Sequence, residues 1–308
     1  MYELVIIGGG PAGVAGGVYA ARKKMKTAIV AESFGGQSVV SDDIQNWIGS
    51  KSITGFDLAQ MLEGHIKAQE EVDIIEGELV TSVKKDNGGF IVETSGGKKL
   101  ETKTVLVASG SHRRRLEVPG GEKFDGKGVV YCSTCDAPLF KDKTVAVIGG
   151  GNAGLEAVVD LLPYAEKIYL LNRSDSPKGD PETLEKIKSS PKTEILVSAN
   201  TTEVLGGKFV TGLKYEDKRS GEIKKLSLEG VFVEIGAVPN TDFVKDLVKL
   251  NERGEIVVDH RTQRASLEGI WVAGDASDLI HKQNNISAGD AIKAVLDIYS
   301  FLQGRKNS

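Results

Sequence analysis

One pattern occurs twice in this chain and constrains its fold more than any other. Leu4-Val5-Ile6-Ile7 runs into Gly8-Gly9-Gly10-Pro11-Ala12-Gly13 and then into Val14 to Ala21. About 140 residues later, Thr144 to Ile148 runs into Gly149-Gly150-Gly151-Asn152-Ala153-Gly154 and then Leu155 to Leu162. Each copy predicts a buried strand, a G-x-G-x-x-G turn and a helix. Each continues to a second strand: Thr27 to Ala31, ending at Glu32, and Lys167 to Leu171, ending at Asn172. The first glycine of such a turn allows the tight bend, and the second lets the backbone approach a pyrophosphate. The third lets helix and strand pack closely, while the helix N-terminus stabilises negative charge. A single copy is equally an ordinary glycine-rich βαβ turn; two copies with the right flanks predict two dinucleotide-binding modules. The chain holds 37 glycines in 308 residues with no collagen-like period, so they serve local backbone needs.

The remaining segments fill in a scaffold. Gly77 to Leu100 reads as strands turning at Asn87-Gly88-Gly89, a β-meander. Thr104 to Gly110, Gly230 to Ile235 and Gly269 to Asp275 each read as a strand ending in small residues, and Ser287 to Leu302 has helical periodicity. The late strand and helix carry no fingerprint of their own and are assigned to the first module. The expected fold is α/β, with two Rossmann-like dinucleotide-binding domains of three-layer ββα type, the second inserted into the first. Residues 1–114 and 241–308 form the first domain. Residues 115–240 form the second, with polar linkers near His112-Arg113-Arg114-Arg115 and Asn240-Thr241-Asp242.

Charge and cysteine usage narrow the chemistry. A net charge of −4 gives no electrostatic reason to expect nucleic acid. No apolar run approaches the roughly 18 residues of a membrane span, and no leader-like segment precedes Leu4. A cytoplasmic, reducing environment is expected. The chain has two cysteines, Cys132 and Cys135, in Cys132-Ser133-Thr134-Cys135-Asp136. They are too few for a disulfide framework or a four-thiolate zinc site. They are either a redox pair or two structural thiols. Spacing i, i+3 near a helix start places both sulfurs on one side of a turn, and Asp136 can move the proton that thiol–disulfide exchange requires. Beside two dinucleotide modules, the redox reading is the one adopted. A hydride would pass from nicotinamide to flavin, and two electrons from flavin to the disulfide. His65, His112, His260 and His281 show no ligand spacing, so no metal site is expected. Trp47 and Trp271 read as packing residues, and the Arg113–Arg115 run as a solvated linker face.

Taken together, Gly8 to Gly13, Phe34-Gly35-Gly36-Gln37, Gln45-Asn46-Trp47, Ala108-Ser109-Gly110, Cys132 to Asp136, Gly149 to Gly154, Ile235 to Asn240, Gly274-Asp275 and Lys282-Gln283 span the chain. Over essentially its whole length it resembles low-molecular-weight thioredoxin reductases. Phe34 to Gln37, Lys282-Gln283 and Thr201 to Gly221 are similar to the reductase half of the alkyl hydroperoxide reductase flavoprotein. The extra N-terminal thioredoxin-like domain of that protein is not found in this sequence, so the expected acceptor is a separate protein. The resemblance implies an FAD-dependent NAD(P)H:thioredoxin-disulfide oxidoreductase, working as a homodimer on a thioredoxin- or glutaredoxin-like partner. It implies that Gly8, Gly10, Pro11, Ala12 and Gly13 cradle FAD and that Glu32 meets the adenosine ribose. Gly36, Gln37, Asn46, Ala108, Gly110, Gly274, Asp275 and Gln283 would hold the rest of it. Gly149, Gly151, Asn152, Ala153, Gly154, Asn172, Arg173, Lys178, Ile235 and Gly236 would take the nicotinamide nucleotide. Cys135 would receive electrons from the flavin, Cys132 would attack the partner's disulfide, and Asp136 would be the acid/base.

The sequence departs from the family pattern at Ala137, where glycine is common, and at Ser109, where threonine is usual. It departs again at Asn172-Arg173-Ser174-Asp175-Ser176-Pro177-Lys178. Relatives that use NADPH carry His-Arg-Arg and a further arginine there. Arg173 and Lys178 keep two cations, and the strand ends on a neutral Asn172 rather than an acid, so NADPH is expected, with NADH next. Competing activities are a partner-dependent reductase like the peroxide-reducing flavoprotein, a flavin-dependent reductase fed by another donor, and a non-enzymatic redox sensor.

Overall fold

Alternation along strand β1 (Tyr2–Gly9) decides the layering of the first half of the molecule. In the computed structural model, which describes residues 1–41 and 43–306, Leu4 and Ile6 join one hydrophobic cluster and Val5 and Ile7 another. All four are buried. A strand apolar on both faces belongs in a parallel sheet covered on both sides. Helix α1 (Pro11–Arg22) returns the chain to β2 (Thr27–Phe34), parallel to β1 with Leu4 opposite Thr27. Helix α2 (Gly55–Lys67) leads to β3 (Val72–Glu76) at the sheet edge.

Strands β4 (Val80–Asp86) and β5 (Gly89–Thr94) form the expected meander with β6 (Lys99–Val107). Here the structure corrects the reading of two separate strands. Leu100 and Thr104 lie on one continuous β6, whose first half pairs antiparallel with β5 and whose second half pairs parallel with β1. The polar stretch Glu101-Thr102-Lys103 between them is not a break in the strand. Thr102 and Thr104 are both fully buried with their hydroxyls satisfied. Thr102 donates to the Thr104 carbonyl at 2.9 Å and Thr104 to the Glu3 carbonyl at 2.6 Å.

Three late strands, β17 (Val258–Asp259), β18 (Arg264–Ala265) and β19 (Ile270–Val272), complete this sheet. Its main path runs β17-β18-β19-β6-β1-β2-β3, with β19 parallel to β6. The last helix, α6 (Asn284–Lys306), buries Ala291, Ala294, Val295, Ile298 and Leu302 on the α1 face, the stripe expected from its periodicity. Trp271 is buried in the same cluster, with its indole N–H on Asp297 at 2.8 Å.

The inserted half repeats this logic. Its parallel sheet has the order β11-β10-β9-β15-β8, from β8 (Val129–Val130), β9 (Thr144–Ile148), β10 (Lys167–Asn172), β11 (Thr193–Val197) and β15 (Gly230–Val233). Val145 and Val147 face helices α4 (Asn152–Leu161) and α5 (Pro181–Ser189). Ala146 and Ile148 face the antiparallel sheet β12 (Ala199–Gly206), β13 (Val210–Asp217) and β14 (Glu222–Ser227). Each half is therefore a three-layer unit with a core on both sides of a parallel sheet. One compact unit comprises Met1–His112 and the chain from Val238 onward; the other is Arg113–Ala237. Short strands β7 (Ser111–Arg113) and β16 (Ala237–Pro239) mark the crossings. Among the described residues no helix is long and apolar enough to cross a membrane.

Candidate active site

The two glycine turns are superposable in their chemistry. Gly8 and Gly149 lie in the left-handed region, at φ +115° and +126°, where a side chain is strained. A Cβ on either would also lie 2.3 or 2.2 Å from a carbonyl oxygen of the adjoining strand segment, Ala108 or Glu234. At the third glycines, Gly13 and Gly154, a Cβ would stand 1.8 Å from the carbonyl oxygen of Gly8 or Gly149. The second glycines differ: Gly10 has only the Gly36 Cα, at 3.8 Å, and Gly151 has nothing within 4 Å. Both are helix N-caps without a side-chain hydrogen bond, so the first-turn N–H groups of α1 and α4 receive no side-chain cap. The other capped helices spend theirs: Thr54 accepts from the Asp57 N–H and Asp180 from the Thr183 N–H. An opening beside unspent helix-start amides is what a dinucleotide pyrophosphate requires, and the donor set fits. Pro11, Ala12, Asn152 and Ala153 occupy these two helix starts.

In the first unit the fold gathers residues far apart in sequence around the α1 turn. Gly36, at φ +62°, lies against Gly10, and a Cβ on Gly274 would be 3.5 Å from the Ala12 Cβ. Gln37 donates to Ser111 at 3.2 Å and to Asp275 at 3.4 Å. Asn46 donates to Gln283 at 3.2 Å. Lys282 bonds the Asp275 and Ser277 carbonyls at 3.0 and 2.8 Å and pairs with Glu255 at 2.8 Å. Behind Ala108, the Asn240 amide N–H reaches the Gly110 carbonyl at 3.0 Å and its side chain the Ser109 carbonyl at 2.9 Å. Glu32 is exposed near the C-terminal end of β2.

In the second unit the loop after β10 folds back over the glycine turn. The Lys178 N–H bonds the Gly150 carbonyl at 2.7 Å, and Asn152 accepts from the Asp180 N–H at 2.8 Å. Asn172 is turned inward: buried beneath Gly150, it donates to the Ser174 carbonyl at 2.8 Å. From there it shapes the turn that presents Arg173. Arg173 and Lys178 are exposed and form no ion pair among the described residues. Asp175 accepts from the Ser198 hydroxyl at 2.5 Å. Ile235 and Gly236 lie exposed just beyond β15, Gly236 at φ +97°.

Cys132 and Cys135 form a disulfide with Cα atoms 5.4 Å apart. Cys132 is the N-cap of the short helix α3 (Ser133–Asp136), and the Asp136 N–H closes the turn on the Cys132 carbonyl at 3.0 Å. Both cysteines are partly exposed. Two acids that sequence reasoning passed over lie in the same unit. Asp160 on α4 accepts from the Ser133 hydroxyl at 2.9 Å and from Thr134 at 3.2 Å. Glu234, just past β15, is 13% exposed, and burial pushes its carboxyl up to about 7. The one signal for Glu234 was a charged residue closing an otherwise buried apolar strand. Of the arginine run, Arg115 pairs with Asp125 and stacks on Tyr131, and Arg113 lies 3.9 Å from Glu234.

Comparison with known proteins gives one consistent result. The pyridine nucleotide-disulphide oxidoreductase family matches residues 2–291. An alkyl hydroperoxide reductase component of Staphylococcus aureus (strain MRSA252) is 41% identical over 301 residues, which cover 98% of this chain and 59% of that protein. Its counterpart in Pseudomonas putida is 42% identical over 305 residues, covering 98% of this chain and 58% of that protein. The chain thus spans about three-fifths of the length of the curated relatives it matches. Among solved structures, thioredoxin reductase from Streptococcus pyogenes aligns with a TM-score of 0.88 at 30% identity over 99% of both chains. Thioredoxin reductase from Giardia duodenalis aligns with a TM-score of 0.89 at 28% identity, over 98% of this chain and 99% of that one. The resemblance drawn from the motifs is the one these comparisons return.

Proposed function

The chain belongs to the pyridine nucleotide-disulphide oxidoreductase family, whose members use a flavin and a nicotinamide nucleotide, and we propose that within it this protein is a thioredoxin-type disulfide reductase. The observation that carries the reading is the Cys132–Cys135 disulfide, partly exposed on a short helix of the unit that also holds the second glycine turn. The first-unit turn, Gly8 to Gly13, receives the FAD pyrophosphate, and Gln37, Asn46, Asp275 and Gln283 orient the remainder of that cofactor. The second-unit turn receives NADPH, with Arg173 and Lys178 as the exposed cations for a 2′-phosphate; NADH is the second choice. When bound, the flavin, recharged by the nicotinamide nucleotide, supplies the electron pair that opens the disulfide. Cys135 accepts that pair, Cys132 leaves as the thiolate that attacks the acceptor's disulfide, and Asp136 holds the proton that returns to sulfur. The acceptor is a small thioredoxin- or glutaredoxin-like protein, and the enzyme works in the cytoplasm as a homodimer.

A second reading is favoured by the 41% identity to the alkyl hydroperoxide reductase component: a reductase serving a separate peroxide-reducing partner. One steady-state experiment addresses both. NADPH and NADH are compared as donors against a panel of small CxxC proteins and a peroxiredoxin. Cys132→Ser and Cys135→Ser are each expected to lose at least about 100-fold in disulfide reduction. Full activity in either variant would refute the mechanism, and turnover with the peroxiredoxin alone would select the second reading.

A further inference from the structure

Both residues between the two sulfurs, Ser133 and Thr134, carry a hydroxyl. The fold sends both hydroxyls to one atom. Ser133 Oγ donates to Asp160 Oδ2 at 2.9 Å, and Thr134 Oγ1 donates to the same oxygen at 3.2 Å. Ser133 is buried, Asp160 half-buried and Thr134 exposed, so the first bond is shielded from water and the second is open to it. Asp160 stands in the last turn of α4, one residue before Leu161. That is the unfavourable end of a helix for a carboxylate, because the negative end of the helix dipole repels it. Two charge-assisted bonds from hydroxyls offset that cost. The helix that carries Asp160 is itself fixed. Its Leu155, Ala157, Val158 and Leu161 are buried against Val145 and Val147 of β9. Ala137 and Phe140, just after the redox turn, enter the same cluster, and Phe140 packs edge-on against Phe232 at 4.9 Å. The far side of the turn is therefore anchored by apolar packing, while the side chains between the cysteines are anchored by Asp160.

We propose that Asp160 is a positioning residue that sets the reducing power of the Cys132–Cys135 pair. The inference rests on the reading of that pair as the exchange-competent one. In the oxidised protein the S–S bond itself closes the turn. Reduction breaks that bond: two electrons and two protons enter, and each sulfur becomes a thiol. A turn with nothing else to hold it would then open, and its sulfurs would drift apart. Asp160 holds the two intervening residues by their side chains, which reduction does not touch. The thiols therefore stay within reach of one another. Holding reacting groups together raises their effective concentration and favours closing the bond again. A pair that closes readily gives its electrons away readily, so the tether makes the dithiol a stronger reductant toward an acceptor's disulfide.

The test is the equilibrium between this disulfide and dithiothreitol, measured in the full chain near neutral pH. Dithiothreitol gives up two electrons and two protons and closes to its own cyclic disulfide, and the protein thiols are counted by alkylation and mass. In Asp160→Ala the equilibrium constant for reduction should be about tenfold larger than in the wild type, or about 30 mV. Asp160→Asn keeps a side-chain oxygen for both hydroxyls and loses the charge, and it should stay close to the wild type. The double variant Ser133→Ala, Thr134→Val removes the donors instead of the acceptor. It should match Asp160→Ala, and combining the two should add nothing further. A residue that only braced the fold would lower the melting temperature of the oxidised and the reduced protein alike and leave the equilibrium unmoved. That result would overturn the proposal. So would additive effects of the donor and acceptor variants, or a shift in Asp160→Asn as large as in Asp160→Ala. If Asp160→Ala does not fold, the donor variant carries the test, and an unmoved equilibrium there overturns the proposal. The measurement needs neither a nucleotide nor a protein acceptor. Failure of the reductase reading, seen as full activity in the cysteine variants, is therefore a separate outcome.

Discussion

Single side chains set the energetics of the first-unit site. Lys282 spends its ammonium on two carbonyls of the Gly274–Ser277 turn and on Glu255. Burial would raise the Glu255 carboxyl, but Lys282 and Asn251 outweigh it and hold it below its ordinary value. For a carboxyl depressed in this way, the stabilisation is present above its unfolded pKa and is lost as pH falls through the lower folded value. Lys282→Met leaves Glu255, 11% exposed, without its cation. It is expected to cost about 1–3 kcal/mol near neutral pH, with the gap to wild type shrinking in acid. Calorimetric melts at the two pH values check this; an equal loss at both would remove the pair as the cause. Lys282-Gln283 was legible as a motif. Its partner Glu255 was not, because nothing local to position 255 shows that the fold brings a lysine there. Asn172 shows the same limit. Its place at the strand end was readable, but not that its side chain turns under Gly150.

Among elements, the contrast is between helices that are capped and helices left open. α2 and α5 close their first turns with Thr54 and Asp180, while α1 and α4 start on Gly10 and Gly151 with no side-chain cap. A cap at these starts would add helix stability and occupy the position an anion needs. Gly151→Asp tests the reading. Without nucleotide the variant should be as stable as wild type or more so, by a few tenths of a kcal/mol. Its binding of NADPH and NADH, measured calorimetrically, should be lost. Wild-type affinity in the variant would remove α4 as the nucleotide's anchor. Both helices were visible in the sequence because glycine spacing and apolar periodicity are local. β6 was not visible as one strand, since Thr102 and Thr104 are polar by type yet buried through hydrogen bonds to Thr104 and Glu3.

For the whole molecule, the important fact is that each unit has a core on both faces of its own sheet. Val145 and Val147 pack against α4 and α5, Ala146 and Ile148 against β12 to β14, and these clusters lie within Arg113–Ala237. A unit with its own core should fold alone. Residues 113–237 expressed alone should melt cooperatively and form the Cys132–Cys135 disulfide; a molten, non-cooperative product would show that the insertion depends on its host. The insertion itself was legible, because a repeated fingerprint followed by a strand and helix lacking one leaves the first module to be completed late, as β19 beside β6 does. The sequence by itself determined the two glycine turns, their flanking strands and helices, and the CxxC pair. All of these depend on residues within a few positions of one another and on backbone geometry that few residue types allow. Only the tertiary structure decided that Gln37 meets Asp275, that Asn46 meets Gln283, and that Glu234 is largely buried beyond β15 with Arg113 3.9 Å away. A carboxyl's hold on its proton is set by burial and by charges brought from distant parts of the chain, and no local pattern encodes either.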